Sequence, residues 1–334
     1  MMKRLNELTL QHHFHNLGNA FYTEHQPQGL QQPRLVRTNR AAAEWIGLDP
    51  TEFTTDLFLQ VFSGNTLLPG MQPLAQDYAG HQFGHFNPFL GDGRALLLAE
   101  VVTPTGTLDV YLKGAGKTAY ARNADGRAGL RECLHEFDTT EQLAALGVPT
   151  TRCLCVVAGS QQVYRGGFES AAIVTRIAPS HVRFGTFENY FFQKNTTALR
   201  QLADHVIACH YADCVANGDY AGFFREVVVR TAHLIAHWQA VGFVHGVMNT
   251  DNQSILGITL DVGASAFNPK RDPDVTSHPD DEHHRYAFGQ QPVVGLWNCN
   301  VLARALSPLI TTAQLRAALQ EYEPAYLRYH AQLV

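Results

Sequence analysis

A chain of 334 residues has room for two cores, and its 45% hydrophobic and 10% aromatic content is that of an ordinary globular protein. The formal charge of −5 at pH 7, with no long run of Lys and Arg, argues against a general nucleic-acid binder. No stretch approaches the ~18 uninterrupted apolar residues of a membrane span. The N-terminal MMKRLNELTLQHHFHNLG also lacks the apolar stretch of a signal peptide, so a cytoplasmic protein without membrane contact is expected.

Residues 1–75 are mixed, with Pro- and Gln-rich punctuation (QPQGLQQPR), and read as an N-terminal extension packed on a core. The informative part begins at DYAGHQFGHFNPFLGDGRALLLAEVV. Residues 95–102 are apolar, TPTG supplies a turn, and residues 108–113 alternate with period two, which predicts a β-hairpin. Leu108, Val110 and Leu112 should share one face, and Asp109, Tyr111 and Lys113 the other. A Gly-containing loop (GAGKTAYARNADGR) follows. Leu130, Cys133, Leu134 and Phe137 then recur at helical spacing until Gly147 and Pro149. Strand-like runs come next near 151–158, 161–165 and 171–178.

The six cysteines stand at 133, 153, 155, 209, 214 and 299. In Cys153-x-Cys155 both side chains should point to one face of a strand, as buried reduced thiols rather than metal ligands. Beyond residue 190 the pattern turns helical. Phe224, Val227, Val228, Leu234, Ile235, Trp238 and Val241 form one stripe, closed by Gly242, and residues 254–260 read as a strand ending in Asp261-Val262-Gly263. The expected class is α+β. It has the order of a protein-kinase-like two-lobed fold: a small β-rich N-lobe with one main helix (76–178) and a mostly helical C-lobe (179–334).

In such a fold a strand Lys pairs with a Glu on the following helix, and Lys113 and Glu136 hold those places. His245-Gly246-Val247-Met248-Asn249-Thr250-Asp251-Asn252 has the His and Asn of a kinase catalytic loop, but Val247 stands where the Asp base belongs. Asn252 and Asp261 are suitable oxygen ligands for Mg²⁺, and Asp251 is the nearby carboxylate able to take a proton. Gly91-Asp92-Gly93-Arg94 precedes the first strand of the hairpin, where glycines admit phosphate oxygens to backbone N–H groups and Arg adds a planar fork. Asp125-Gly126-Arg127 repeats the pattern before the helix, and Arg176 and Arg183 add two cations. GAGKT is not a P-loop, because the motif needs Gly where Tyr111 stands. His81 with His85, the pair His283-His284, and the cluster His12, His13 and His15 lack a third ligand at telling spacing and read as polar packing or surface groups.

Together, YAGHQFGHFNPFLGDGRALLL, LKGAGKTAYAR, DGRA, GVPTTR, TRIAPSHVRFGTFE and WQAVGFVHGVMNTDNQSILG resemble the selenoprotein O (YdiU) family over about residues 70–310, with LVRTNRAAAEWIGLD fitting as well. That resemblance implies a pseudokinase fold that binds ATP in a flipped orientation and transfers AMP to Ser, Thr or Tyr of protein substrates, with Mg²⁺ or Mn²⁺; self-modification is a further option. It implies nucleotide contacts at Gly91, Gly93, Arg94, Lys113, Asp125, Gly126, Arg176, Arg183 and Asp261, metal ligands Asn252 and Asp261, the proton acceptor Asp251, and Glu136 as partner of Lys113. Two alternatives stay open: UMP transfer from UTP with Mn²⁺, and a nucleotide-binding pseudokinase without turnover. This sequence departs from the family at Asn123-Ala124, where Gly-Gly is usual, and at Val262–Phe267, where Y-G-P-[FY]-G-F is usual. Ser277 replaces a common Cys, so a disulfide from it is not expected. Family members continue past the position of Val334 to a redox-active Cys or Sec, so a shortened C-terminal part is expected.

Overall fold

The computed structural model describes residues 2–334, which form two compact units. Of the described residues the first comprises 2–77, 89–142 and 151–180; the second comprises 78–88, 143–150 and 181–334.

The first unit is built on an antiparallel sheet whose main path runs Tyr22–Glu24, Leu74–Gln76, Ala95–Thr103, Gly106–Lys113, Phe168–Ala178, Arg152–Tyr164, Arg34–Thr38. The hairpin foreseen from TPTG is present, with Ala95 opposite Lys113 and Thr103 opposite Gly106. Leu108, Val110 and Leu112 enter the main core with Leu96, Leu98, Phe58 and Phe62. Helix Asp56–Phe62 brings those Phe residues in and is capped by Thr55, whose hydroxyl accepts from Phe58 N at 3.2 Å. On the opposite side of the sheet, Cys133 and Phe137 of helix Leu130–Ala145 pack on Cys153, Val156 and Val174.

Two strand readings need correction. The runs 151–158 and 161–165 are one strand, Arg152–Tyr164, whose pairing shifts register between Ala158 and Gln162; Gly159-Ser160 marks an irregularity rather than an end. Cys153 and Cys155 do not share a face. A second register shift between them inserts an extra residue, so Cys153 joins the helix-side cluster and Cys155 the main core. Both thiols are free and buried, and burial pushes both up in pKa.

The second unit is mostly helical: Phe184–Phe192, Thr196–His210, Tyr220–Val241, Gln291–Leu306, Thr312–Leu319 and Tyr322–Leu333. Helix Tyr220–Val241 opens on Asp219, which accepts from Gly222 N at 2.8 Å, and closes on Gly242 at φ +72°. Its Leu234, Ile235 and Trp238 form a core with Phe243, Met248 and Val262. Two small two-stranded sheets complete the unit: the hairpin of Gly80–Gln82 with His85–Asn87, and the pair Phe243–Val244 with Ala266–Phe267. Residues 254–260 are not a strand. They make isolated bridges only, Arg183 to Ser254 and Thr259 to Thr150 and Gln253, and Gly257 turns the chain at φ +69°. A Cβ at Gly257 would lie 2.9 Å from the Arg230 backbone, so the close approach requires glycine. Among the described residues no helix is long and apolar enough to cross a membrane.

Candidate active site

In the first unit the sheet and one helix gather the charges. Lys113 lies opposite Val174, and Arg176 opposite Tyr111, so Lys113 and Arg176 emerge on the same face of neighbouring strands. Glu136 receives both: Lys113 Nζ donates to Oε2 at 2.7 Å, and Arg176 Nε donates to Oε1. One helical turn earlier, Glu132 takes a two-pronged bond from Arg94, at 2.9 and 2.6 Å, and also lies 3.0 Å from Lys113 Nζ. Three cations and two carboxylates are thus joined by ion pairs here. Burial alone would lower Lys113, but Glu136 and Glu132 hold it above its ordinary value. Burial would likewise raise Glu132, yet Lys113 and Arg94 prevail and pull it down to about 2.

The glycine loops surround this cluster. A Cβ on Gly91 would strike the Tyr120 ring at 2.5 Å, and one on Gly93 would come 3.0 Å from Tyr120 O, so this loop is tightly folded. Asp92 between them accepts from Gln76 N at 3.0 Å and from the Tyr111 hydroxyl at 2.6 Å, which gives it a structural job. Gly126 sits at φ +73°, with Lys117 N only 2.2 Å from where a Cβ would be. Asp125 is held by Arg165 at 2.6 Å and by Arg127 N at 2.9 Å. Arg127 spends its guanidinium on the carbonyls of Gln28 at 2.5 Å and Gly29 at 3.4 Å, so it braces the chain.

The second unit carries the other group. His245 is buried, and burial lowers its pKa. Its Nε2 meets Leu260 O at 2.8 Å, tying the HGVMNTDN loop to the residue before Asp261. Val247 is partly buried against the helical core. Its carbonyl accepts from Asn252 Nδ2 at 2.9 Å, so the amide nitrogen is committed and the Asn252 oxygen is the end a cation would meet. Asp261 adopts a left-handed conformation at φ +53°, uncommon for a non-glycine residue. Arg183 Nη1 donates to Asp261 Oδ2 at 2.9 Å and to Asp251 O at 2.6 Å, and its guanidinium lies 4.6 Å from the Tyr78 ring centre. Burial pushes Asp251 up to about 6, with Asp261 adding to the rise, while Arg183 and Gln82 oppose it. The buried Oδ1 of Asp251 has no hydrogen-bond partner. Arg183 faces Asp251 and Asp261 here, and the side-chain oxygens of Asn252, Asp261 and Asp251 are of the type that suits a hard cation such as Mg²⁺.

Every sequence-assigned residue thus falls into one of two groups. Arg94, Lys113, Arg176 and Glu136 meet in the first unit beside the loops of Gly91, Gly93, Asp125 and Gly126. Arg183, Asp251 and Asp261 meet in the second, with Asn252 next to Asp251 in the chain and bonded to the Val247 carbonyl. Sequence reading missed Glu132, although its place four residues before Glu136 on one helix face was a usable signal. It also missed Gln82, whose Nε2 donates to Asp251 Oδ2 at 3.1 Å, and nothing local marks that contact. Among the described residues no cluster of three or more His, Cys, Asp or Glu could hold a metal, and His81 instead pairs with Glu188.

A family model described as protein adenylyltransferase SelO matches residues 4–334. The chain is 47% identical over 335 residues to a protein nucleotidyltransferase YdiU of Pseudomonas putida (strain W619), covering 100% of this chain and 69% of the relative. It is 45% identical, with the same coverage, to the protein of that name from Ectopseudomonas mendocina (strain ymp), and 46% to that of Pseudomonas aeruginosa (strain LESB58).

Proposed function

Because the chain belongs to the SelO/YdiU family of protein nucleotidyltransferases, we propose that it transfers AMP from ATP to Ser, Thr or Tyr hydroxyls of protein substrates, itself included. The observation that carries this reading is the exchange inside one loop: Val247 fills the place of the kinase base, while Asp251 presents a buried carboxylate oxygen with no hydrogen-bond partner. A protein-kinase-like fold is the scaffold we assign, supported by the strand-to-helix pair Lys113–Glu136 and the His-Gly-x₅-Asn loop.

In this reading Arg94, Lys113, Arg176 and Arg183 bind phosphate oxygens, with the loops of Gly91, Gly93, Asp125 and Gly126 shaping their approach. The target hydroxyl oxygen attacks the α-phosphorus, the bond to the β-phosphate oxygen breaks, pyrophosphate leaves, and the hydroxyl proton passes to Asp251. Asn252 and Asp261 would hold Mg²⁺ or Mn²⁺, which supplies positive charge against the phosphates. Glu132 and Glu136 keep the cations in place before nucleotide arrives. The six free thiols agree with a reducing, cytoplasmic setting.

The test is incubation with ATP or UTP labelled at the α-phosphate, with Mg²⁺ or Mn²⁺, following label into protein. Transfer from ATP is expected. Transfer from UTP alone would establish the UMP alternative, and tight nucleotide binding without transfer would establish a pseudokinase.

A further inference from the structure

The proton acceptor is gripped from one side by a hairpin that sequence reading passed over. Strand Gly80–Gln82 pairs with His85–Asn87 and lies directly on the 249–251 loop. His81 N donates to Thr250 Oγ1 at 2.7 Å, and Phe83 N to Asn249 Oδ1 at 3.1 Å, so the backbone is pinned on both sides of Gln82. Gly80 packs closely on the loop, where a Cβ would come 3.1 Å from Asp251 Cβ. The His81 ring is held by Glu188, fully buried on helix Phe184–Phe192. The Gln82 amide has a donor end and an acceptor end. Asn87 Nδ2 donates to Oε1 at 3.2 Å, which turns Nε2 toward Asp251 Oδ2 at 3.1 Å.

We propose that Gln82 is a positioning residue for the reaction: it holds Asp251 by Oδ2, so that Oδ1 is the atom that takes the proton of the attacking hydroxyl. This rests on the reading of Asp251 as proton acceptor. The hydroxyl O–H bond breaks, an O–H bond forms at Oδ1, and the electron pair left on the substrate oxygen forms the new bond to phosphorus. A carboxylate free to rotate would offer either oxygen in poor alignment, and a mispositioned group of this kind costs ~10–100-fold in rate.

Four variants test the assignment through kcat, KM for ATP and ATP affinity: Gln82→Leu, the near-isosteric Gln82→Glu that removes the donor while keeping the shape, Asp251→Ala, and Gln82→Leu combined with Asp251→Ala. The expected result is a ~10–100-fold fall in kcat for both Gln82 variants, with KM and ATP affinity unchanged. The double variant should be no slower than Asp251→Ala, because Gln82 acts through that carboxylate. Wild-type kcat in Gln82→Glu, or a loss that multiplies onto that of Asp251→Ala, would overturn the positioning role alone. Wild-type turnover in Asp251→Ala would overturn the proton acceptor itself.

Discussion

In the sheet-bearing unit Arg94, Lys113 and Arg176 all find carboxylates on one helix, Lys113 and Arg176 from strands and Arg94 from the residue just before one. In the helical unit Asp251, Asn252 and Asp261 stand on loops and turns, one in a left-handed conformation and one with a buried oxygen lacking a partner. The first group gathers cations of the kind that suit phosphates; the second gathers carboxylates of the kind that suit a cation. In the proposed function the first serves stability as well as nucleotide binding, whereas the second holds a desolvated carboxylate that takes part in the chemistry.

Substitutions should separate those two characters. Asp251→Ala is expected to lower kcat ~10²–10⁴-fold, while the thermal midpoint holds or rises, since an unpaired buried oxygen is removed. A large drop in midpoint would make Asp251 a structural residue. Glu136→Ala should do the reverse, taking the buried Glu136 carboxylate away from Lys113 and Arg176 and destabilising the protein by ~3–5 kcal/mol in urea unfolding, because the Glu136 side chain is 1% exposed. Gly126→Ala forces a side chain onto φ +73° and should cost ~1–3 kcal/mol, read as lower stability or weaker ATP binding; wild-type values for both would dissolve the loop argument.

The smallest effect concerns pH. Glu132 is depressed in the folded state to about 2 from an ordinary 4.5, so its ionised form adds stability above about pH 4.5, and that stability is lost as pH falls toward 2. Glu132→Gln should flatten the decline of stability across that window, as followed by denaturant titration at stepped pH. An unchanged slope would mean the Arg94–Glu132–Lys113 contacts contribute little.

The first group was the more legible because its signals are local and periodic. Alternation placed Lys113, helical spacing placed Glu136, and the order of elements suggested that they meet. Legibility failed where backbone irregularity intervened. The register shift that sends Cys153 and Cys155 to opposite faces leaves no mark in residue type. Residues 254–260 have strand composition, yet their partners are single bridges around a left-handed Gly257. In the second group the residue types were readable from the HGVMNTDN loop, but their support was not. His81 meets Glu188 across 107 residues of sequence, and Gln82 meets Asp251 across 169, distances at which no spacing rule operates.

The most direct test of the central claim is parallel incubation of wild type and Asp251→Ala with ATP labelled at the α or at the γ phosphate, with label followed into protein. Protein label is expected from the α position only, and is expected to be lost in Asp251→Ala. Protein label from the γ position, or α label undiminished in Asp251→Ala, would contradict it.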